Sequence, residues 1–507
     1  MKEYFFSEIW HDKRLKFIFF SVLVGLIFAH AMAIFNKYSV HDDTISLFST
    51  GATISSGRWG LELLRLLPGI LFGTDGGSST YSMPVVASIY VVIFSTLSLF
   101  LVVKLLDIKS IVSCIFLGGI FITSPFYISL FGHVFAASSY SFAIFLSVFA
   151  SYMLCRYKKW YVYIVSVLLI VLSLGIYQAF LSIIISLMLF HMIKETVVNA
   201  KQTWIDFLKI GFYYVTACVL SITIYILTVK LSCYLTNVEL TSYKNINNMA
   251  KEGFFAYISR IPLAYYKFFN PNDFFPLNTK YIYRILLGIE ILLSIYLYYK
   301  LQKQQSMKFI TLIVMIPIVC NLPLIMTENV DRASHTIVLL GQLFPIIFLL
   351  QLLEEKYIKQ IMLMRLISYV CIGIIIIMYC RIANIFYLKI EFVQQRSFSY
   401  FTTLVTQIKN VDGYDDDYPV VYLNEFKKRD KNIKGLPFMY YTIPPYFCVK
   451  DMINNYSWKI FVSNWLGFDP RLGKAKDFKY LPEVKDMPHY PDSGSIKIIN
   501  ENVVVKF

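Results

Sequence analysis

The sequence predicts an α-helical polytopic membrane protein with a small α/β domain at its C-terminal end. Of its 507 residues, 57% are hydrophobic and 16% are charged, whereas soluble proteins contain roughly a quarter charged residues. Apolar runs long enough to cross a bilayer as helices recur up to about residue 383. The remaining stretch has alternating hydrophobicity and turn signals, which are typical of strands in a mixed domain.

The net charge of +15 comes from lysines and arginines that lie in short clusters between the apolar runs. This distribution is typical of loops that stay in the cytoplasm, and membrane lipids are the expected surroundings. We expect no nucleic-acid partner, because no continuous basic face with interleaved aromatic residues is evident. The eight cysteines are spread singly, so the sequence predicts neither a disulfide framework nor a metal site built on CxxC.

The chain is predicted to cross the membrane about 11 times, with a cytoplasmic N-terminus. Tyr177-Gln178 divides the long apolar run at 160–192 into two short spans, and a re-entrant hairpin there is the alternative. The predicted spans lie at about 17–35, 83–103, 110–131, 134–154, two within 160–192, 210–229, 284–299, 309–326, 336–353 and 361–383.

This count places the short basic connections on one side of the membrane, which must be the cytoplasm, and the long loops on the other. We therefore predict a transmembrane domain at 1–384, with external loops at about 36–82 and 231–283. The C-terminal domain at 385–507 is external as well. Its strands are expected at Val420–Leu423 and within 496–507.

The first external loop contains an acidic pair that suits catalysis. Asp42 and Asp43 are among few acids on the external side next to the membrane. One interpretation is that Asp43 only caps a helix over 44–54. The other is that one of the two carboxylates is a general base. A hard cation could bind the pair, but no further acidic ligands lie nearby in the sequence, so we predict no metal cofactor.

A second candidate begins 15 residues after Asp43, at Arg58. Arg58, Glu62 and Arg65 recur at helical spacing on one face of a helix that is predicted to lie flat in the membrane interface. Pro68 should end or kink this helix. A guanidinium there can bind two oxygens of a lipid phosphate, or it can simply anchor the helix to headgroups.

Two further polar groups could contact a substrate. Tyr177 and Gln178 either form a hydrogen-bonded turn or meet sugar hydroxyls. The loop before residue 336 could contain an internal ion pair, or Arg332 could be a second phosphate ligand. The candidate catalytic residues are thus Asp42 and Asp43, and the candidate substrate-binding residues are His41, Arg58, Trp59, Glu62, Tyr177, Gln178, Asp331, Arg332 and His335.

The first span, the external Asp-Asp pair and Ser56-Gly57-Arg58-Trp59-Gly60 together resemble the serotype-converting O-antigen glucosyltransferases of bacteria and phages, membrane enzymes of GT-C type architecture. The stretch Leu174-Gly175-Ile176-Tyr177-Gln178-Ala179-Phe180 is also similar to that family. The resemblance implies an undecaprenyl-type polyprenyl-phosphate glucose donor and a lipid-linked O-antigen acceptor. It also implies inverting transfer on the periplasmic face of the bacterial inner membrane. The implied functional partners are a donor-lipid flippase and a polyprenyl-phosphate glucosyl synthase.

By analogy with GT-C enzymes, one aspartate of the pair would act directly while the other orients it, and the sequence leaves open which. The competing interpretations are a transporter or flippase of the polysaccharide pathway, and a membrane polymerase or acyltransferase that acts on the same glycan. A transporter should show repeated halves and several charges within its spans, which are not evident here. A polymerase would also use external loops, so the acidic pair after the first span is the discriminating feature.

Overall fold

The computed structural model describes residues 12–39, 41–48, 53–72, 82–241, 253–270, 277–326, 340–424 and 452–507. The chain forms two compact units. The first unit comprises Met1–Lys37, Ser46–Phe386 and Thr442–Tyr446, and the second comprises Tyr38–Ile45, Tyr387–Tyr441 and Phe447–Phe507. The short segment Tyr38–Ile45, which contains the acidic pair, therefore belongs to the same unit as the C-terminal tail.

The first unit is built from apolar helices, as predicted. Among the described residues, seven helices are long and apolar enough to cross a membrane, or eight if the bent pair Ile111–Thr123 and Pro125–Phe131 is one span. The prediction of a polytopic helical membrane protein is confirmed, and the count of about 11 spans stays a prediction. The seven helices are Lys13–Phe35, Pro84–Leu106, Val134–Arg156, Gln178–Val198, Trp204–Thr236, Lys280–Lys300 and Met362–Lys409.

The remaining helices of this unit are shorter. Trp160–Ile176 ends where Tyr177 becomes extended, and a 3-10 turn at Gln178–Phe180 leads into Leu181–Val198. The turn predicted at Tyr177-Gln178 is therefore confirmed. The other short helices are Trp59–Phe72, Phe254–Ser259, Ile261–Phe269, Lys303–Cys320, Leu322–Met326 and Phe344–Leu352, with a 3-10 turn at Ile54–Ser56.

Local sequence explains two departures from the predicted spans. The span predicted at 110–131 is two helices with a bend of 43° at the break, because Pro125 lacks a backbone N–H and disfavours helical geometry at Ser124, whose ψ is 153°. The span predicted at 210–229 is the longer helix Trp204–Thr236. It begins early because Thr203 and Asp206 form a capping box at its first turn.

Helices continue beyond two of the predicted span ends, while the external loop at 231–283 and the domain boundary at 384 stay predictions. The loop predicted at 231–283 contains the end of Trp204–Thr236, the helices Phe254–Ser259 and Ile261–Phe269, and the start of Leu277–Lys300. The span predicted at 361–383 lies within the helix Met362–Lys409, which has 48 residues and continues well beyond residue 383. The amphipathic pattern of the second half of this helix accounts for its extension beyond residue 383.

The second unit has its hydrophobic core between this long helix and a sheet. Val393, Phe401, Leu404 and Ile408 are buried and recur at the spacing of one helix face. Phe401 stacks on Trp458 with ring centroids 5.2 Å apart and planes at 6°. Continuing the helix past its apolar run buries this face, which explains why the helix does not stop there.

Three strands form the sheet: β1 (Val420–Leu423), β2 (Ile496–Ile499) and β3 (Asn502–Lys506). The order is β1-β3-β2, with β1 parallel and β2 antiparallel to β3. Val503 and Val505 face the core against the long helix, while Val504 faces a second cluster with Phe478 and Val484. Because both faces of β3 are covered, its run of valines is buried throughout. The predicted strands are confirmed, and the domain boundaries at 385–507 stay a prediction.

Candidate functional site

The two aspartates of the acidic pair have different environments. Both lie in the short helix Asp42–Ile45, yet the side chain of Asp42 is 45% exposed and Asp43 is 0% exposed. The hydroxyl of Ser39 donates a 2.6 Å hydrogen bond to the Asp43 carboxylate. Because the helix begins at Asp42, Asp43 lies inside its first turn, and the interpretation of Asp43 as an N-cap is wrong. An exposed carboxylate can meet a substrate, whereas a buried, hydrogen-bonded one can hold the turn in place.

His41 lies directly before this helix in a left-handed backbone conformation, with φ of 52°. Such a conformation is uncommon for a residue with a side chain and is found more often at functional sites. Its Nε2 is 3.8 Å from Oδ1 of Asp42. Its Nδ1 is 3.4 Å from the amide nitrogen of Asn454, so the two ring nitrogens face different neighbours.

The tail supplies residues to this site that sequence reasoning missed. Asn454 contacts His41, and the ring of Tyr456 meets the His41 ring edge-on with centroids 5.0 Å apart. Partial burial and the charge of Asp42 raise the pKa of the Tyr456 phenol. No local signal could have found these contacts, because 413 residues separate His41 from Asn454. We call Ser39, His41, Asp42, Asp43, Asn454 and Tyr456 the Asp42 cluster.

A second group of polar residues lies in the first unit, around Arg58. Arg58 donates a 3.1 Å hydrogen bond to the hydroxyl of Tyr140, and its guanidinium carbon is 4.8 Å from the centroid of the Tyr177 ring. The two tyrosine rings stack on each other at 4.6 Å. A cation over a stacked aromatic pair is held in a narrow range of orientations. We call Arg58, Tyr140, Tyr177, Gln178 and Tyr225 the Arg58 cluster.

The structure corrects the predicted helix around Arg58. Arg58 precedes the helix Trp59–Phe72, so it does not share a face with Glu62 and Arg65. These two pair with each other, with 2.8 Å between Nε and Oε1. The helix also continues past Pro68 to its end at Phe72. Pro68 removes one backbone hydrogen bond without ending the helix.

The two segments that the sequence singled out are in direct contact. Gln178 donates a 2.7 Å hydrogen bond from Nε2 to the carbonyl of Ser56, and the hydroxyl of Tyr225 donates to the carbonyl of Gly57 at 3.0 Å. The side-chain amide of Gln178 thus hydrogen-bonds to the backbone, which agrees with the interpretation of Tyr177-Gln178 as a hydrogen-bonded turn. A contact of Tyr177 or Gln178 with sugar hydroxyls stays a prediction.

Small residues allow this contact. A Cβ added to Gly60 would lie 2.8 Å from the carbonyl carbon of Gly175, and one added to Gly175 would lie 2.6 Å from the Trp59 indole ring. Trp59 therefore packs on the backbone of the Tyr177 turn. Its part in substrate binding stays a prediction, as does that of Glu62.

Replacing Gly175 with Ala is expected to lower the free energy of unfolding by about 1–3 kcal/mol, because backbone or indole atoms must shift. Thermal unfolding of the purified protein in detergent would measure the loss. The matched control is Gly288→Ala in the helix Leu277–Lys300, where an added Cβ would meet no described atom within 4 Å. That variant is expected to unfold at the same temperature or higher, since alanine favours helix. Equal melting temperatures for Gly175→Ala and the unaltered protein would contradict the close packing.

A family model described as glucosyl transferase GtrII matches residues 31–348. The chain belongs to the GtrII glucosyltransferase family. It is therefore a membrane glycosyltransferase, as the resemblance of its motifs implied. Neither the curated proteins nor the solved structures give a significant match to the chain.

The region that matches the GtrII family includes the acidic pair and the whole Arg58 cluster, whereas Asn454 and Tyr456 of the Asp42 cluster lie beyond its end. Asp331, Arg332 and His335 also lie in the matched region but outside the described residues. Within the described ranges, no three His, Cys, Asp or Glu side chains are grouped so that they could hold a metal ion. A metal-independent reaction stays a prediction for this member of the GtrII family.

Proposed function

We propose that the protein transfers glucose from a polyprenyl-phosphate donor to a sugar of the lipid-linked O-antigen repeat unit, which would change the serotype. The transfer inverts the anomeric carbon and takes place on the periplasmic face of the bacterial inner membrane. The observation that carries the proposal is the GtrII family match over residues 31–348, which includes Asp42 and Arg58. The clustering of lysines and arginines in short connections supports the orientation, because such loops stay in the cytoplasm.

Asp42 is the general base in this proposal. Its half-exposed carboxylate takes the proton from the acceptor hydroxyl. The hydroxyl oxygen then forms a bond to the anomeric carbon, the bond from that carbon to the phosphate oxygen breaks, and polyprenyl phosphate leaves with the electron pair. Asp43 is a positioning residue, because its buried carboxylate accepts a hydrogen bond from Ser39 and fixes the helix that carries Asp42.

Arg58 is the phosphate ligand in this proposal. The departing phosphate gains negative charge as the glycosidic bond breaks, and a guanidinium already in place stabilises that charge without reorganising. The hydrogen bond to Tyr140 and the stacking on Tyr177 support this role, because they restrict the side chain before substrate binds. Roles for Tyr177 and Gln178 then follow as supports of Arg58 and of its loop.

The alternatives are a flippase or transporter of the polysaccharide pathway and an O-antigen polymerase. Membership of a glucosyltransferase family favours glucose transfer over both. A donor-lipid flippase and a polyprenyl-phosphate glucosyl synthase are then the partners that would make the donor and bring it to the external face.

A reconstituted assay tests the donor. The full chain in liposomes should transfer labelled glucose from polyprenyl-phosphate glucose to lipid-linked O-antigen, and it should do so in the presence of EDTA. We expect no transfer from UDP-glucose, because the proposed phosphate site receives a lipid monophosphate. Transfer from UDP-glucose alone would contradict the proposed donor. Movement of the lipid-linked sugar across the bilayer without transfer would favour the flippase.

A further inference from the structure

Tyr456 is the most exposed member of the Asp42 cluster. Tyr456 is 61% exposed, although the turn that contains it is well anchored. The backbone N–H of Ile453 donates to the Ser397 hydroxyl at 2.9 Å. Both the backbone N–H and the hydroxyl of Ser457 donate to Oδ1 of Asn454, at 3.2 and 3.0 Å. The exposure of the ring therefore does not come from a loose segment.

The next residues fix the turn to the core of the second unit. The helix Trp458–Leu466 begins directly after Ser457, and Trp458 is 4% exposed in the core, where it stacks on Phe401. The side chains of Asn454 and Trp458, which flank Tyr456 in the sequence, thus make contacts that fix the turn. The ring of Tyr456 is therefore held in an exposed position next to His41 and Asp42.

We propose that Tyr456 is an acceptor-binding residue, whose ring stacks on the apolar face of the acceptor sugar and so presents a hydroxyl of that sugar to Asp42. This inference rests on the function proposed above and adds the C-terminal tail to the acceptor site. An aromatic ring has a large apolar face at low conformational cost, and the C–H groups on one side of a pyranose form a matching apolar surface. An exposed carboxylate that acts as a base needs a neighbouring group that positions the sugar. Proton transfer requires the sugar hydroxyl to lie within hydrogen-bond distance of the carboxylate.

The competing explanation is that Tyr456 anchors the tail at the membrane surface, where tyrosine is common. The second unit offers a matched control for that explanation in Tyr480, which is 84% exposed and lies in neither cluster. An anchoring role predicts similar effects for both tyrosines on any property that depends on membrane attachment. Acceptor binding predicts an effect at Tyr456 alone.

The test uses the full chain in liposomes, with polyprenyl-phosphate glucose as donor and increasing concentrations of lipid-linked O-antigen. Tyr456→Ala is expected to raise the KM for the acceptor by roughly ten-fold, the effect of losing one stacked ring face. The KM for the donor is expected to change little, because the proposed phosphate ligand is Arg58. Tyr456→Phe should rescue most of the loss, because it keeps the ring.

Four outcomes decide the question. A raised acceptor KM for Tyr456→Ala, absent in Tyr480→Ala, supports the inference. The proposed function stands if the unaltered protein transfers glucose. In that case, the role of Tyr456 is overturned if Tyr456→Ala leaves the acceptor KM unchanged, or if both alanine variants raise it equally. If the unaltered protein transfers no glucose from the polyprenyl donor, the proposed function fails, and this inference fails with it.

Discussion

Replacing Asp42 with Asn is expected to lower the rate of glucose transfer by about 10²–10⁴-fold, the usual contribution of a positioned general base. The amide keeps the size and shape of the side chain but cannot take a proton from the acceptor hydroxyl. Because the Asp42 side chain is 45% exposed, the substitution should not disturb folding. Mass spectrometry of the O-antigen measures the added hexose, and the amount of variant in the membrane fraction shows whether it is inserted.

Two other substitutions give this experiment its controls. Asp43→Asn keeps an oxygen that can accept the Ser39 hydrogen bond, so we expect a smaller loss of about ten-fold or less from altered positioning. Asp477→Asn changes an exposed aspartate of the same unit and should leave transfer unchanged. If Asp43→Asn abolishes transfer while Asp42→Asn remains active, the two roles are reversed. Full modification of the O-antigen by both variants would show that neither aspartate acts in catalysis.

Replacing Arg58 with Lys is the second substitution with a large expected effect. Lysine keeps the positive charge but loses the planar fork, the stacking on Tyr177 and the geometry of the Tyr140 hydrogen bond. We expect the rate of transfer to fall by about 10²-fold, which corresponds to roughly 3 kcal/mol of lost transition-state stabilisation. Kinetics in liposomes at saturating acceptor would measure the fall.

Arg65→Lys is the matched control, because Arg65 lies on the neighbouring helix and pairs with Glu62 in a partly exposed ion pair. Such pairs contribute about 0–1 kcal/mol, so we expect the rate to change by less than about five-fold. Equal losses in the two lysine variants would contradict a role specific to Arg58, because Arg65 lies outside the proposed phosphate site. Unchanged activity of Arg58→Lys would rule out a phosphate site that depends on the guanidinium fork.

Features that depend on short stretches of sequence could be predicted. Apolar runs identify the membrane helices, because each must satisfy its own backbone in lipid. The turn at Tyr177-Gln178 and the strands β1 to β3 follow from polar and turn-forming residues between such runs. The second half of Met362–Lys409 shows the limit of that method. Its helix-forming signal is an amphipathic face that begins where the apolar run ends, and a search for uniformly apolar segments stops there.

The environment of each site residue could not be predicted, because it depends on residues far away in the chain. Asp42 and Asp43 are neighbours, and adjacent positions on a helix project about 100° apart. Which of them faces the protein depends on what packs there, including the tail, which meets His41 through Asn454. Arg58 likewise contacts Tyr140, a residue from another helix that its own stretch of sequence does not identify.

The long sequence separation within the Asp42 cluster also sets an order of events during biosynthesis. Asn454 is synthesised 413 positions after His41. At ordinary rates of translation this delay is roughly 20–80 s. During that time the segment that carries the acidic pair lacks the neighbours that complete it, and β1 lacks β3, its partner in the sheet. The contacts of His41 with Asn454 and Tyr456 can therefore form only after this part of the tail has been synthesised, so the surroundings of the acidic pair are completed late.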